Sequence, residues 1–222
     1  MNNKKIILLL SSLLSPLALA DDAIDYSKYR AANTPVNYSF INLEVGNKSY
    51  DNLDNSMIVG RVSGQTLLND AFIFKMGFQA EFLDESNNVD KISYQDNLAN
   101  IGVGWRYPIF KATDVELDGD LLYNWNDDTI NSDGSIETDI KKSEMGYRVG
   151  AAVHHGFGDS FDVKFGLNYR SIDQFDQTSL DLSLTKYITR YVGVGINGYI
   201  ANGDDKLGDL NYIALHLNLA FY

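Results

Sequence analysis

Histidine-based acid–base or nucleophilic chemistry in this chain would have to pass through His154, His155 and His216, its only imidazoles, and there is no cysteine to supply a thiolate. Acyl transfer needs a hydroxyl within hydrogen-bond reach of a histidine and a carboxylate to orient the ring. No local motif joins a serine to any of the three, so they are assigned structural roles and no catalytic residue is named. A cation site is the other chemistry on offer, in "TINSDGSIETDI". Setting Gly134 at the sixth position of a calcium loop puts Thr129 at the first and Ile140 at the twelfth, where an aspartate and a bidentate glutamate are required. The template fails, no metal ligand is assigned, and Asp133-Gly134 reads as turn chemistry at a loop tip. Asp127, Asp128, Asp133, Glu137 and Asp139 are then either a weak divalent site or a solvated charge run.

A third set of polar residues is larger. Arg61, Lys75, Arg106, Arg148, Lys164 and Arg170 alternate with apolar neighbours, and so do Glu44, Glu81, Glu116, Asp118, Asp120, Asp162 and Asp181. A nearly even mixture of long cations and acids on one face can pair across a narrow space and plug it, whereas an ion pore favours segregated or one-signed rings. The expected pairing brings Arg106, Arg148 and Arg170 toward Glu116, Asp118 and Asp120. Gly102, Gly104, Gly146, Gly150, Gly166, Gly193 and Gly195 share that face. Small residues opposite large ones, or relief of curvature in coiled strands, both account for them.

The elements that must position these side chains repeat with a period of two, which is the period of a strand. Ten segments carry it, at about 37–47, 57–67, 71–83, 98–108, 114–126, 145–156, 161–172, 179–188, 191–201 and 211–222. In the third, Phe72, Phe74, Met76, Phe78, Ala80 and Phe82 alternate with Ile73, Lys75, Gly77, Gln79 and Glu81. The seventh sets Phe161, Val163, Phe165, Leu167 and Tyr169 against Asp162, Lys164, Gly166, Asn168 and Arg170. Each segment is close to the roughly nine to eleven residues that a tilted strand needs to cross a bilayer.

A soluble sandwich also alternates, but the connections separate the two cases. The even ones are short ("LND", "FKATD", "GFGDS", "TR"), and the odd ones are polar and often long ("NKSYDNLDNS", "DESNNVDKISYQDN", "NDDTINSDGSIETDIKKSE", "DQFDQT", "NGDDKLGDL"). Short turns on one rim and long loops on the other mark an antiparallel up-and-down barrel in a membrane, with an even strand number. Outward aromatics fall into two belts on that topology. Phe72, Trp105, Tyr107, Phe161, Tyr191 and Phe221 lie on the short-turn side, with Phe82, Tyr123, Trp125, Tyr147 and Tyr169 on the long-loop side. The fold class is thus all-β, a transmembrane antiparallel barrel of ten strands. Eight is the alternative, because the second and eighth segments pattern least well.

The chain opens with Lys4 and Lys5, an apolar run from Ile6 to Leu14, and Ala18-Leu19-Ala20. This reads as a secretory signal peptide over 1–20, cleaved after Ala20, since the run is about half of what a spanning helix needs. Residues 21–35 read as a periplasmic lead-in and 36–222 as the barrel. Two of 18 basic residues leave with the signal and all 30 acidic ones stay, so the formal charge moves from −12 to −14. Nucleic acid is therefore excluded as a partner on charge grounds.

The last segment, "LNYIALHLNLAFY", places Ile213, Leu215, Leu217, Leu219 and Phe221 on one face. With the features above it resembles the small outer-membrane β-barrel proteins of Gram-negative bacteria, whose terminal strand alternates apolar residues and ends in an aromatic. "NIGVGWRYPI" followed by "TDVELDGDLLYNW" resembles the fourth and fifth strands of the same family. The resemblance covers about residues 36 to 222. It implies a porin-like cell-envelope protein surrounded by outer-membrane lipid and lipopolysaccharide. It further implies that Leu215, Leu217, Leu219, Phe221 and Tyr222 form the strand that closes the barrel and is recognised by the barrel-assembly machinery. Tyr222 departs from the pattern by lying one residue beyond the usual terminal aromatic. Some barrels of this size are proteases, acyltransferases or deacylases, but no histidine here falls at the long-loop rim where such a protease keeps its acid and histidine. The expectation is a non-enzymatic surface or envelope protein with a largely side-chain-filled lumen and acidic outer loops. A narrow channel for small solutes comes second, and a lipid-modifying or proteolytic enzyme third. No cofactor is expected.

Overall fold

The computed structural model describes residues 36–52, 56–69, 71–86, 90–110, 112–132, 136–157, 160–173, 175–189, 191–202 and 208–221, with the side chains of 84–93 and 127–140 excepted. The expected signal peptide, the expected lead-in and Tyr222 lie outside the described residues. Ten strands form a closed antiparallel barrel: β1 (Phe40–Tyr50), β2 (Ser56–Leu67), β3 (Phe72–Ser86), β4 (Asp90–Phe110), β5 (Thr113–Ser132), β6 (Ile136–Phe157), β7 (Phe161–Ile172), β8 (Phe175–Tyr187), β9 (Val192–Ala201) and β10 (Leu210–Ala220). Each pairs with its sequence neighbours, and β10 closes on β1 from Phe40↔Ala220 to Tyr50↔Leu210. Closure leaves no sheet edge in the band where lipid offers no hydrogen bonds, the condition a strand must meet to cross a bilayer.

The alternation is inside-out relative to a water-soluble protein. Val45, Val103, Leu121 and Ile213 are exposed outward while Glu44, Glu81, Glu116, Asp120 and Arg106 are buried inward. In β10 the apolar row points out and Tyr212, Ala214, His216, Asn218 and Ala220 are buried. An apolar exterior around a polar interior is the amphipathicity that lipid imposes on a barrel.

Three strands are far longer than their alternation indicates. β4, β5 and β6 run to 21, 20 and 22 residues, against expected segments of 98–108, 114–126 and 145–156. The second and third long connections are therefore mostly paired strand: Asp90 faces Ser132, and Ser132 faces Ile136. Beyond the lipid the outward positions turn polar, so the apolar period ends while the backbone ladder continues. At about 3.3 Å per residue β5 is roughly 66 Å long and β9 about half that, and the wall from β3 to β6 stands tall over the loop-side rim. β6 meets β7 only from Gly146↔Ile172 downward.

The first strand is shifted as well. β1 runs from Phe40 to Tyr50 rather than over 37–47, and residues 36–39 lie inside the short-turn mouth.

Candidate functional site

The site is the lumen, in three levels. At the short-turn mouth the chain before β1 folds inward, and Val36 and Tyr38 are each 1% exposed. The Tyr38 hydroxyl donates to Asp114 Oδ2 at 3.1 Å. Its ring stacks on His154 with centroids 5.3 Å apart, and the Arg106 guanidinium lies 5.3 Å from the ring centroid. Burial, and then the Asp114 carboxylate, push the phenol far above its ordinary pKa, so it stays a donor. The Leu67 amide donates to Ser39 Oγ, the Phe221 amide to Ser39 O, and Gln65 to the Tyr38 carbonyl. Val36 and Tyr38 pack with Ile73 and Leu67.

At mid-height the charges pair. Lys75 bonds both Glu116 and, at 2.7 Å, Asp118. Lys164 Nζ lies 3.6 Å from Glu116, and His154 Nε2 lies 3.0 Å from its other oxygen without hydrogen-bond geometry. Arg148 holds Asp120 through Nε at 2.8 Å and reaches Asp118 at 3.4 Å. Across the barrel Glu44 accepts from Tyr212 at 2.5 Å and from Asn197, with Arg61 Nη1 at 3.3 Å.

Toward the loop side Lys48 and Glu81 form a buried pair at 2.6 Å, and Gln79 donates to the other oxygen of Glu81 at 2.6 Å. Around this level Tyr50, Met57, Val59, Leu210 and Tyr212 build an apolar cluster inside the barrel, with Tyr94 and Tyr199 against it.

Every lumen residue expected from the sequence points inward, but the partners differ. Arg148 reaches Asp118 and Asp120. Arg106 instead takes Asp114, at 2.8 Å, and Arg170 donates to Gln177 at 2.6 Å. Glu116 is taken by lysines from β3 and β7. The stagger of the barrel decides these partners, and the sequence does not state it. Asp162 accepts from the Asn37 amide at 3.5 Å, and Asp181 from Asn168. The glycines make room for neighbouring lumen side chains: a Cβ on Gly104 would lie 3.3 Å from Lys75 Cε, and one on Gly195 would lie 2.6 Å from His216 Cε1. Lys48 and Asp114 were missed. Lys48 stands among loop-like residues, and Asp114 sits at the start of its strand.

Side chains do not fill the lumen completely. A cavity of about 230 Å³ lies at mid-height and another of about 220 Å³ lies toward the short-turn side, with Arg61, Lys164 and Asp181 lining both.

The histidines occupy separate environments. His216 Nε2 is 3.0 Å from Thr185 Oγ1, and its Nδ1 has no hydrogen-bond partner although Glu44 faces it across the β1–β10 ladder. His155 faces outward at the lipid boundary, 2.7 Å from the Thr113 hydroxyl and edge-on to Phe157. Among the described residues no carboxylate orients either ring for general-base work. The acidic cluster from Asp127 to Asp139 lies outside the described side chains.

The closed ladder, the apolar exterior and the charged interior define an outer-membrane type of β-barrel. The chain belongs to the outer membrane protein beta-barrel domain family, which it matches over residues 6–187. That match ends at the last residue of β8, so the two strands completing closure lie beyond it. No curated protein sequence matches the chain. Among solved structures, the translocator domain of autotransporter NalP from Neisseria meningitidis superimposes with a TM-score of 0.55 at 10% identity, covering 98% of each chain. A NanC porin gives 0.50 at 8% identity, covering 82% of this chain and 100% of its own. The attachment invasion locus protein Ail of Yersinia pestis gives 0.45 at 13% identity, over 82% of this chain and 97% of its own. At such identities the likeness is one of fold.

Proposed function

We propose that this protein is a non-enzymatic component of the outer membrane whose barrel is closed to solutes at rest and which serves an envelope or surface role. The observation that carries this reading is the segment 36–39. It occupies the short-turn mouth, with Tyr38 buried and tied to Asp114, His154 and Arg106. The apolar cluster and the Lys48–Glu81 pair crowd the opposite half. Lumen charges are mostly spent on one another, which an open water path does not favour. In this reading the tall wall from β3 to β6 faces outward from the cell, lipid and lipopolysaccharide surround the apolar band, and β10 is the strand that the assembly machinery handles.

Purified protein in a planar bilayer tests it. Little or no steady conductance is expected, and a large, stable single-channel step from the unmodified protein would overturn it. A narrow channel is the second reading, supported by the two cavities. It predicts that same step.

A further inference from the structure

We infer that the mid-height cavity is a binding site for a small oxyanion, such as phosphate, sulfate or a carboxylate of similar size. The lumen holds more acids than bases among its inward residues, yet the surface facing this cavity is basic, because the two signs sit at different depths. Glu44, Glu116 and Asp120 are pressed against the wall with side chains 1%, 1% and 0% exposed, while Arg61, Arg148 and Lys164 keep 32%, 34% and 34%. The recessed acids draw donors from the wall side: Glu44 from Tyr212 and Asn197, Asp120 from Asn100 at 3.2 Å, and one oxygen of Glu116 from Lys75, its other oxygen having no hydrogen bond. The cations are therefore not saturated by their partners. Lys164 has three donors and one contact at 3.6 Å, and Arg148 commits Nε and Nη2 and leaves Nη1.

A second observation points the same way. Arg170 lines the cavity, and its buried Nε has no hydrogen-bond partner. That Nε has no surface open to the cavity, so Arg170 contributes to the site through its positive charge. The lining carries Arg61, Lys75, Arg148, Lys164 and Arg170 against two carboxylates, Asp118 and Asp181. Asp118 is spent on Lys75 and Arg148. Asp181 is the opposing charge, with Oδ2 taken by Asn168 and Oδ1 without a partner. At about 230 Å³ the cavity admits such an anion with several waters, each of which needs roughly 30 Å³.

The inference is independent of closure, since an anion can be held in a conducting or a closed lumen. The test uses the full chain folded in detergent and equilibrium dialysis against radiolabelled inorganic phosphate at constant ionic strength. About one phosphate per barrel should bind saturably, and unlabelled sulfate should compete while glucose should not. The double substitution Arg61→Gln, Lys164→Gln should weaken binding at least tenfold. Asp181→Asn is isosteric and removes only the opposing charge, so it should tighten binding several-fold, an effect that general damage to the barrel would not produce. If the double variant does not fold, Asp181→Asn decides. Absence of saturable binding in the unmodified protein, or binding that no folded variant alters, overturns the inference.

Discussion

The Tyr38 hydroxyl bonds Asp114 across 76 positions of sequence, so the segment preceding the first strand is fixed to the base of the fifth. Asp114 also accepts from Arg106, whose guanidinium lies over the Tyr38 ring. One aromatic side chain thus joins a carboxylate, a cation and His154 at one mouth of the lumen, where the proposed closed state would be sealed. Tyr38→Phe keeps the ring and deletes one hydrogen bond, costing about 1 kcal/mol, and should leave the barrel non-conducting. Tyr38→Ala empties the mouth and should raise planar-bilayer conductance well above that of the parent. Equal, negligible conductance in both variants would show that the seal lies elsewhere.

The lipid-facing row gives a second prediction. Leu217 pairs with Leu43 and Val194 in the apolar band, so Leu217→Arg should cost about 2–4 kcal/mol near mid-depth. Asn218→Ser, one residue along and buried in the lumen, should cost much less. The fraction of folded, heat-modifiable barrel recovered after refolding reads both, and equal losses would contradict the register.

Those two residues also show what the sequence made legible. Leu217 and Asn218 could be sorted to opposite faces because lipid forces strict alternation over about ten residues. While closure by β10 came from the family resemblance, the same rule found all ten strands and the inward direction of charges such as Glu116 and Arg148. It failed where its cause was missing. Above the lipid, outward positions such as Lys141 and Ser143 no longer need to be apolar, and the upper parts of β4 to β6 read as loops. Lys48 was lost in the same way, its strand continuing because β10 pairs with it as far as Leu210 and β2 as far as Ser56. The partners of Arg106 and Arg170 depend on the stagger of the closed barrel. The segment 36–39 is irregular backbone, which has no period to read.

The tall wall makes orientation testable. If the long hairpins lie outside, Ser143→Cys, exposed above the rim, should react with a membrane-impermeant maleimide on intact cells. Ala112→Cys in the turn between β4 and β5 should react only after lysis. The opposite pattern would invert the topology. Added protease should cut 113–132 and 136–157 poorly, because these residues are paired in strands.

The final prediction concerns Lys48 and Glu81, which meet at 2.6 Å with side chains 5% and 4% exposed. A pair so deep repays its desolvation only while both partners are present. Lys48→Met leaves the Glu81 carboxylate buried with only Gln79 donating to it, and should destabilise the barrel by about 3–5 kcal/mol. Adding Glu81→Leu removes the stranded charge and sets an apolar side chain at the level of the cluster around Tyr50 and Met57. The double variant should therefore recover most of the loss. Urea unfolding from detergent or lipid, followed by tryptophan fluorescence, gives the three differences needed for a double-mutant cycle. A double variant as unstable as the sum of the two single ones would show that the pair is not coupled and that the loop-side half of the lumen is held by other contacts.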